Sequence, residues 1–186
     1  MNHRLWHFVG GLSGAYSITR HFVVCGEPLP HAPRLSVLNT VSEGQEASAF
    51  HLSGIVSNER YVSSEEKQEL KATQEAIGRA DAPLGAFIPI RKAQAWWDLS
   101  QSERRAIFEE RSAHIALGMQ ALPQIARRLH HCRDLETPQP FDFLTWFDFK
   151  AADASKFDDL LGALRATEEW QYVDREIEIR VQRLDG

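Results

Sequence analysis

Phe141-Asp142-Phe143-Leu144-Thr145-Trp146-Phe147-Asp148-Phe149-Lys150 is the stretch on which the fold turns. Phe141, Phe143, Thr145, Phe147 and Phe149 alternate with Asp142, Leu144, Trp146 and Asp148; this period of two predicts a strand with an aromatic inner face. After it, Phe157, Leu160, Leu161 and Leu164 recur at helical spacing within Asp153–Thr167, and Val173–Gln182 alternates Ile177, Ile179 and Val181 with Glu176, Glu178 and Arg180, the pattern of a half-solvated strand. Before it, Ser100-x-x-Glu103 is a capping box for a helix over Ser102–Met119, and Pro123 opens a second helix over Leu122–His131. Leu84–Ile90 reads as a short buried strand in which Pro89 marks an edge or a bend.

The first half is mostly sheet. Leu5–Gly11 and Ala15–Cys25 alternate and are joined by Gly10-Gly11-Leu12-Ser13-Gly14, which suits a hairpin; Arg34–Asn39 and Ala47–Val56 follow the proline-rich run Gly26–Pro33. Ser63-x-x-Glu66 then caps a helix over Glu66–Ile77 that Gly78 ends. The order of elements predicts an α+β fold of two ferredoxin-like halves, 1–83 and 84–186, forming an antiparallel barrel-like core with helices outside.

Composition narrows the function. A formal net charge of -5 and a pI near 5.9 give no global attraction for nucleic acid or anionic lipid, and no nucleic-acid-reading motif is present. No apolar run approaches the roughly 20 residues of a membrane span. The N-terminus lacks the regions of a signal peptide, so the expectation is a cytoplasmic protein. Cys25 and Cys132 form no CxxC or CxxCH arrangement, which removes support for a disulfide framework, a zinc site and covalent haem attachment.

The candidate pocket is Ile88–Arg128, with Lys92, Trp96, Trp97, His114 and Arg127. Gly118 lies one helical turn beyond His114 and leaves room for something flat against the imidazole, as a haem ligand needs. Each residue also has a plainer reading: a core histidine, two core or interface tryptophans, a solvated lysine and a surface arginine. The other seven of the eight histidines stand in no recognised metal spacing.

Several stretches resemble the chlorite dismutases, in the same order along the chain: Ser57-Asn58-Glu59-Arg60-Tyr61-Val62, Ile88-Pro89-Ile90-Arg91-Lys92, Trp96-Trp97, Glu103–Ser112, Leu122–Leu129, Phe141–Phe147 and Thr167-Glu168-Glu169-Trp170. The likeness is to the short, dimeric lineage and runs from about Leu5 to Arg183. It implies a homodimeric haem b oxidoreductase that turns chlorite into chloride and dioxygen by oxygen transfer to iron and O–O bond formation. By the same resemblance His114 is the proximal iron ligand, and Glu169 is the carboxylate that accepts from its Nδ1; neighbouring Glu168 competes for that role. Arg127 becomes the charged distal residue, a permanent cation for an anionic substrate, with Gln74 biasing its position. Lys92, Tyr61 and Trp96 fall near the haem propionates, Trp97 near the haem edge, and Phe143 and Thr145 on the distal side.

Other readings remain, a peroxidase-like haem enzyme of the same fold among them. The related coproheme decarboxylases share the fold but use a radical-competent tyrosine, and this chain has only Tyr16, Tyr61 and Tyr172. A non-enzymatic haem-binding or structural dimer would make His114 a core histidine and the tryptophan pair interface filling.

Overall fold

The computed structural model describes residues 4–40, 48–56 and 77–184. Eight strands, β1 (Leu5–Gly11), β2 (Tyr16–Cys25), β3 (Arg34–Leu38), β4 (Phe50–Val56), β5 (Leu84–Lys92), β6 (Ala126–His131), β7 (Phe143–Phe149) and β8 (Val173–Arg183), close into an antiparallel barrel in the order β1-β3-β2-β8-β5-β7-β6-β4. Each half thus contributes a block with the same internal order, β4-β1-β3-β2 and β8-β5-β7-β6. Among the described residues four α-helices lie outside: α1 (Gln94–Asp98), α2 (Gln101–Arg105), α3 (His114–Ala121) and α4 (Ala154–Arg165). The fold is the expected α+β type.

Several local expectations change. β1 and β2 are not a hairpin, because β3 inserts between them and pairs with both. β5 is an interior strand, and its ladder to β8 skips Ile88 and Pro89, where a residue without an N–H fits. The chain expected as a helix over Leu122–His131 instead turns and enters β6, where Arg127 and Leu129 pair with Phe147 and Thr145 of β7. Pairing on both sides of this segment outweighs the helix propensity of its Ala, Arg and Leu.

The helix expected over Ser102–Met119 is broken. The α2 capping box is present, but Ala106–Arg111 winds as a π-helix and Ala113 adopts a left-handed conformation (φ 48°), so α3 begins at His114. The extra residue of a π turn rotates the chain beyond it, and the αL residue lets a fresh helix start. The Glu109 carboxylate accepts from the Ile115 amide at 2.9 Å, supplying the cap that Ala113 lacks.

β7 is buried on both faces. Leu144 and Trp146 fill the barrel interior with Phe8, Phe87 and Ile179, whereas Phe143, Phe147 and Phe149 point away from it, toward the helices. The aromatic stripe is therefore the outer face of the sheet, and it meets Phe157, Leu160, Leu161 and Leu164 of α4. Each such fully buried side chain contributes about 1.5–3 kcal/mol. β8 is likewise not half-solvated: Glu176 and Glu178 are buried beneath α4, where Arg165 pairs with both.

Candidate functional site

Between the outer face of β5, β6 and β7 and the layer of α3 and α4 lies an open cavity, about 1100 Å³ counting its mouth. Its described lining starts at Ile88 and ends at Trp170, all within the second half. The wall is largely apolar, with Ile88, Ile90, Phe143 and Leu160 among its members, and its polar members are Lys92, His114, Arg127, Thr145 and Glu169 beside the indole of Trp96.

His114 enters the cavity from the first residue of α3. Its Nδ1 lies 2.6 Å from Glu169 Oε2, and the other carboxylate oxygen accepts from Lys92 Nζ at 2.7 Å. Burial would raise the Glu169 pKa, but the neighbouring His114 and Lys92, by charge and hydrogen bonding, hold it down to about 2. An ionised carboxylate can only accept, so Nδ1 carries the proton and donates to it, and Nε2 is the nitrogen left with a lone pair for the cavity. Burial lowers the Lys92 pKa, opposed mainly by Glu169. Ser112 completes the arrangement by accepting from the Glu169 amide at 3.0 Å.

Two rings lie beside the imidazole: Phe108 is stacked at 4.3 Å and 22°, and Trp170 lies nearly parallel at 6.4 Å and 18°. Glu168, the competitor for His114, pairs instead with Arg111 at 2.8 Å.

Arg127 reaches the cavity from the sheet, while alternation along β6 sends Arg128 to the other face, over the ring of Trp6 at 3.7 Å. Burial lowers the Arg127 pKa and Glu169 raises it, yet a guanidinium stays cationic at any working pH. Thr145 and Phe143 line the same cavity.

Trp96 is buried and faces the cavity, and its Nε1 has no hydrogen-bond partner. Trp97 is not on the cavity wall; it stacks on Phe143 at 6.1 Å, with the Arg133 guanidinium 4.0 Å above its ring. Tyr61 and Gln74 lie outside the described residues.

Sequence reasoning brought His114, Glu169, Lys92, Trp96 and Arg127 to one place but gave Lys92 a different neighbour. Its ammonium is spent on Glu169, between the rings of Trp96 (4.6 Å) and Trp170 (5.5 Å). The available signal was a lysine directly ending a buried apolar strand, which needs a carboxylate partner. Phe108, Ser112 and Trp170 were missed as neighbours of His114, although Glu103–Ser112 and Thr167–Trp170 both carry the family resemblance.

An antiparallel eight-stranded barrel carrying a histidine–carboxylate–lysine triad beside an apolar cavity defines the class of this protein. The chain belongs to the chlorite dismutase family, whose model matches residues 33–184. It is 48% identical to the dimeric chlorite dismutase of Nitrobacter winogradskyi over 96% of this chain and 99% of that one, with a TM-score of 0.88. Two structures from Candidatus Nitrospira defluvii share the fold at 18% identity: a mutant chlorite dismutase in complex with cyanide (TM-score 0.68, covering 100% of this chain and 92% of that one) and a chlorite dismutase in complex with imidazole (TM-score 0.66, 98% and 92%). Among the described residues no helix is long and apolar enough to cross a membrane.

Proposed function

We propose that this chain is a haem b enzyme that decomposes chlorite to chloride and dioxygen and works as a homodimer. The observation that carries the reading is His114, with Nδ1 fixed on Glu169 and Nε2 left for the cavity. The cavity fits the group. A Cβ added to Gly118 would meet nothing within 4 Å, so the wall beside His114 is clear; the lining is apolar; and the orphaned Trp96 Nε1 is a buried donor in want of an acceptor such as a propionate.

His114 would hold the iron through Nε2, and Trp96 would offer its N–H to a propionate. When bound, the haem would supply redox-active iron chemistry for the oxygen transfer. The overall conversion of one chlorite to one chloride and one dioxygen consumes no proton and no external electron. The distal group therefore need not titrate, and Arg127 meets that need by holding the substrate anion and the chlorine oxyanion derived from it. Glu169 keeps the proton at His114 Nδ1, which maintains a basic imidazole, and Lys92 keeps Glu169 ionised. The apolar walls exclude water around the anion.

Of the described tyrosines, Tyr16 packs edge-on against Trp146 and Tyr172 against Trp96, and neither lines the cavity. The homodimer is supported by the dimeric relative from Nitrobacter winogradskyi. Haem-reconstituted protein is expected to evolve oxygen from chlorite at an oxygen electrode. Arg127→Ala is expected to retain the Soret band and lose about 10²-fold in kcat. A parent that binds haem through His114 yet evolves no oxygen would refute the activity.

A further inference from the structure

We propose that Glu176 and Arg165 are positioning residues for the His114 imidazole, acting through Trp170; this rests on His114 being the axial ligand. Glu169 restrains one atom of the ring, Nδ1, and a single hydrogen bond leaves the imidazole free to tilt about the Nδ1···O line. Trp170 bears on that tilt, because its indole lies nearly parallel to the imidazole with the ring centroids 6.4 Å apart, while Phe108 stacks at 4.3 Å.

Trp170 is itself pinned at its far edge. Its Nε1–H donates to Glu176 Oε2 at 2.7 Å, and Glu176, fully buried on β8, has its other oxygen engaged by Arg165 Nη2 and Nε at 2.6 and 3.0 Å. Arg165, on the last turn of α4, also pairs with Glu178, so the guanidinium is fixed by two carboxylates of β8. The indole is therefore tied to the junction of α4 and β8, elements that also form the wall and flank of the cavity. Lys92 lies against the same indole, so a displaced Trp170 would also disturb the ammonium that Glu169 depends on.

Two variants separate positioning from folding. Trp170→Phe keeps a ring face and leaves the Glu176–Arg165 pair intact while removing the N–H; Glu176→Gln removes the charge and one of the two contacts. In the haem-free protein, the parent should show a single His114 ring tautomer and ring orientation by nitrogen-15 NMR, and both variants should show averaging. In the haem-loaded protein, the iron–histidine stretching band should shift and broaden in both, and haem loss should accelerate about tenfold. Unchanged ring order, band and haem loss in both variants would overturn the positioning role while leaving the haem assignment standing. A Soret band that survives His114→Ala would overturn the axial assignment and the inference with it. A fall in melting temperature alone, without spectroscopic change, would mark Glu176 and Arg165 as structural and also overturn the inference.

Discussion

Glu169 and His130 are buried titratable residues with different tasks, and they set two separate acid limbs. His130 faces the barrel interior, donating from Nδ1 to the Leu144 carbonyl at 2.9 Å while Nε2 has no partner; burial, reinforced by Arg128, takes its pKa from 6.5 to about 4. The unfolded chain therefore takes up this proton first, and stability falls as the pH drops from 6.5 to about 4, by about 3 kcal/mol. Glu169, held at about 2 against an ordinary 4.5, contributes stability that is complete above 4.5 and lost as the pH falls toward 2. His130→Leu should therefore flatten the upper limb and leave the lower one in urea titrations across pH; an unchanged upper limb would show that the histidine titrates elsewhere. Lys92→Met strands the Glu169 carboxylate with only His114 and should cost about 3–5 kcal/mol at neutral pH, the penalty for breaking a buried pair. A loss below about 1 kcal/mol would mean that the ammonium is solvated.

Among the described elements, the junction before α3 carries backbone strain. Ala113 holds φ 48° without the freedom of glycine, an arrangement that costs about 1–2 kcal/mol for a residue with a Cβ. Ala113→Gly should raise the urea midpoint by the equivalent of about 0.5–1 kcal/mol, the relief less the extra entropy of an unfolded glycine. A destabilised variant would place the left-handed turn elsewhere. Such junctions were the part of the fold least legible in sequence. The alternation of Phe141–Phe149 and the spacing of Phe157, Leu160, Leu161 and Leu164 are local, so the strand and the helix could be read, as could the Ser100 capping box. Which face of β7 lines the barrel could not, because a strand buried on both sides carries apolar residues on both. The π turn over Ala106–Arg111 keeps the composition of an ordinary helix, and β6 acquires its conformation from neighbours distant in sequence. For the cavity, family motifs brought five residues together, but the bond between Lys92 and Glu169 spans β5 and the turn before β8 and has no local signature.

At the scale of the molecule, closing a barrel removes every free sheet edge, yet among the described residues the two seams between the blocks are unequal. β2 and β8 share eight paired positions, whereas β4 and β6, the seam that joins the two blocks on the other side, share Ile55↔His131 and Val56↔His130 among the described residues. Close approach there depends on Gly54, since a Cβ at that position would stand 2.7 Å from the His130 Cβ. A ladder of two pairs opens more readily than one of seven, so the amides paired at Ile55–His131 and Val56–His130 should exchange with solvent sooner than those between β5 and β7. Gly54→Ala should widen the difference by forcing the strands apart, while leaving the β5–β7 amides protected and the cavity on their outer face intact. Hydrogen-exchange mass spectrometry resolves the two seams. Equal protection across both in the parent protein would mean that the barrel opens as one unit, and that its two blocks are coupled as tightly at β4–β6 as at β2–β8.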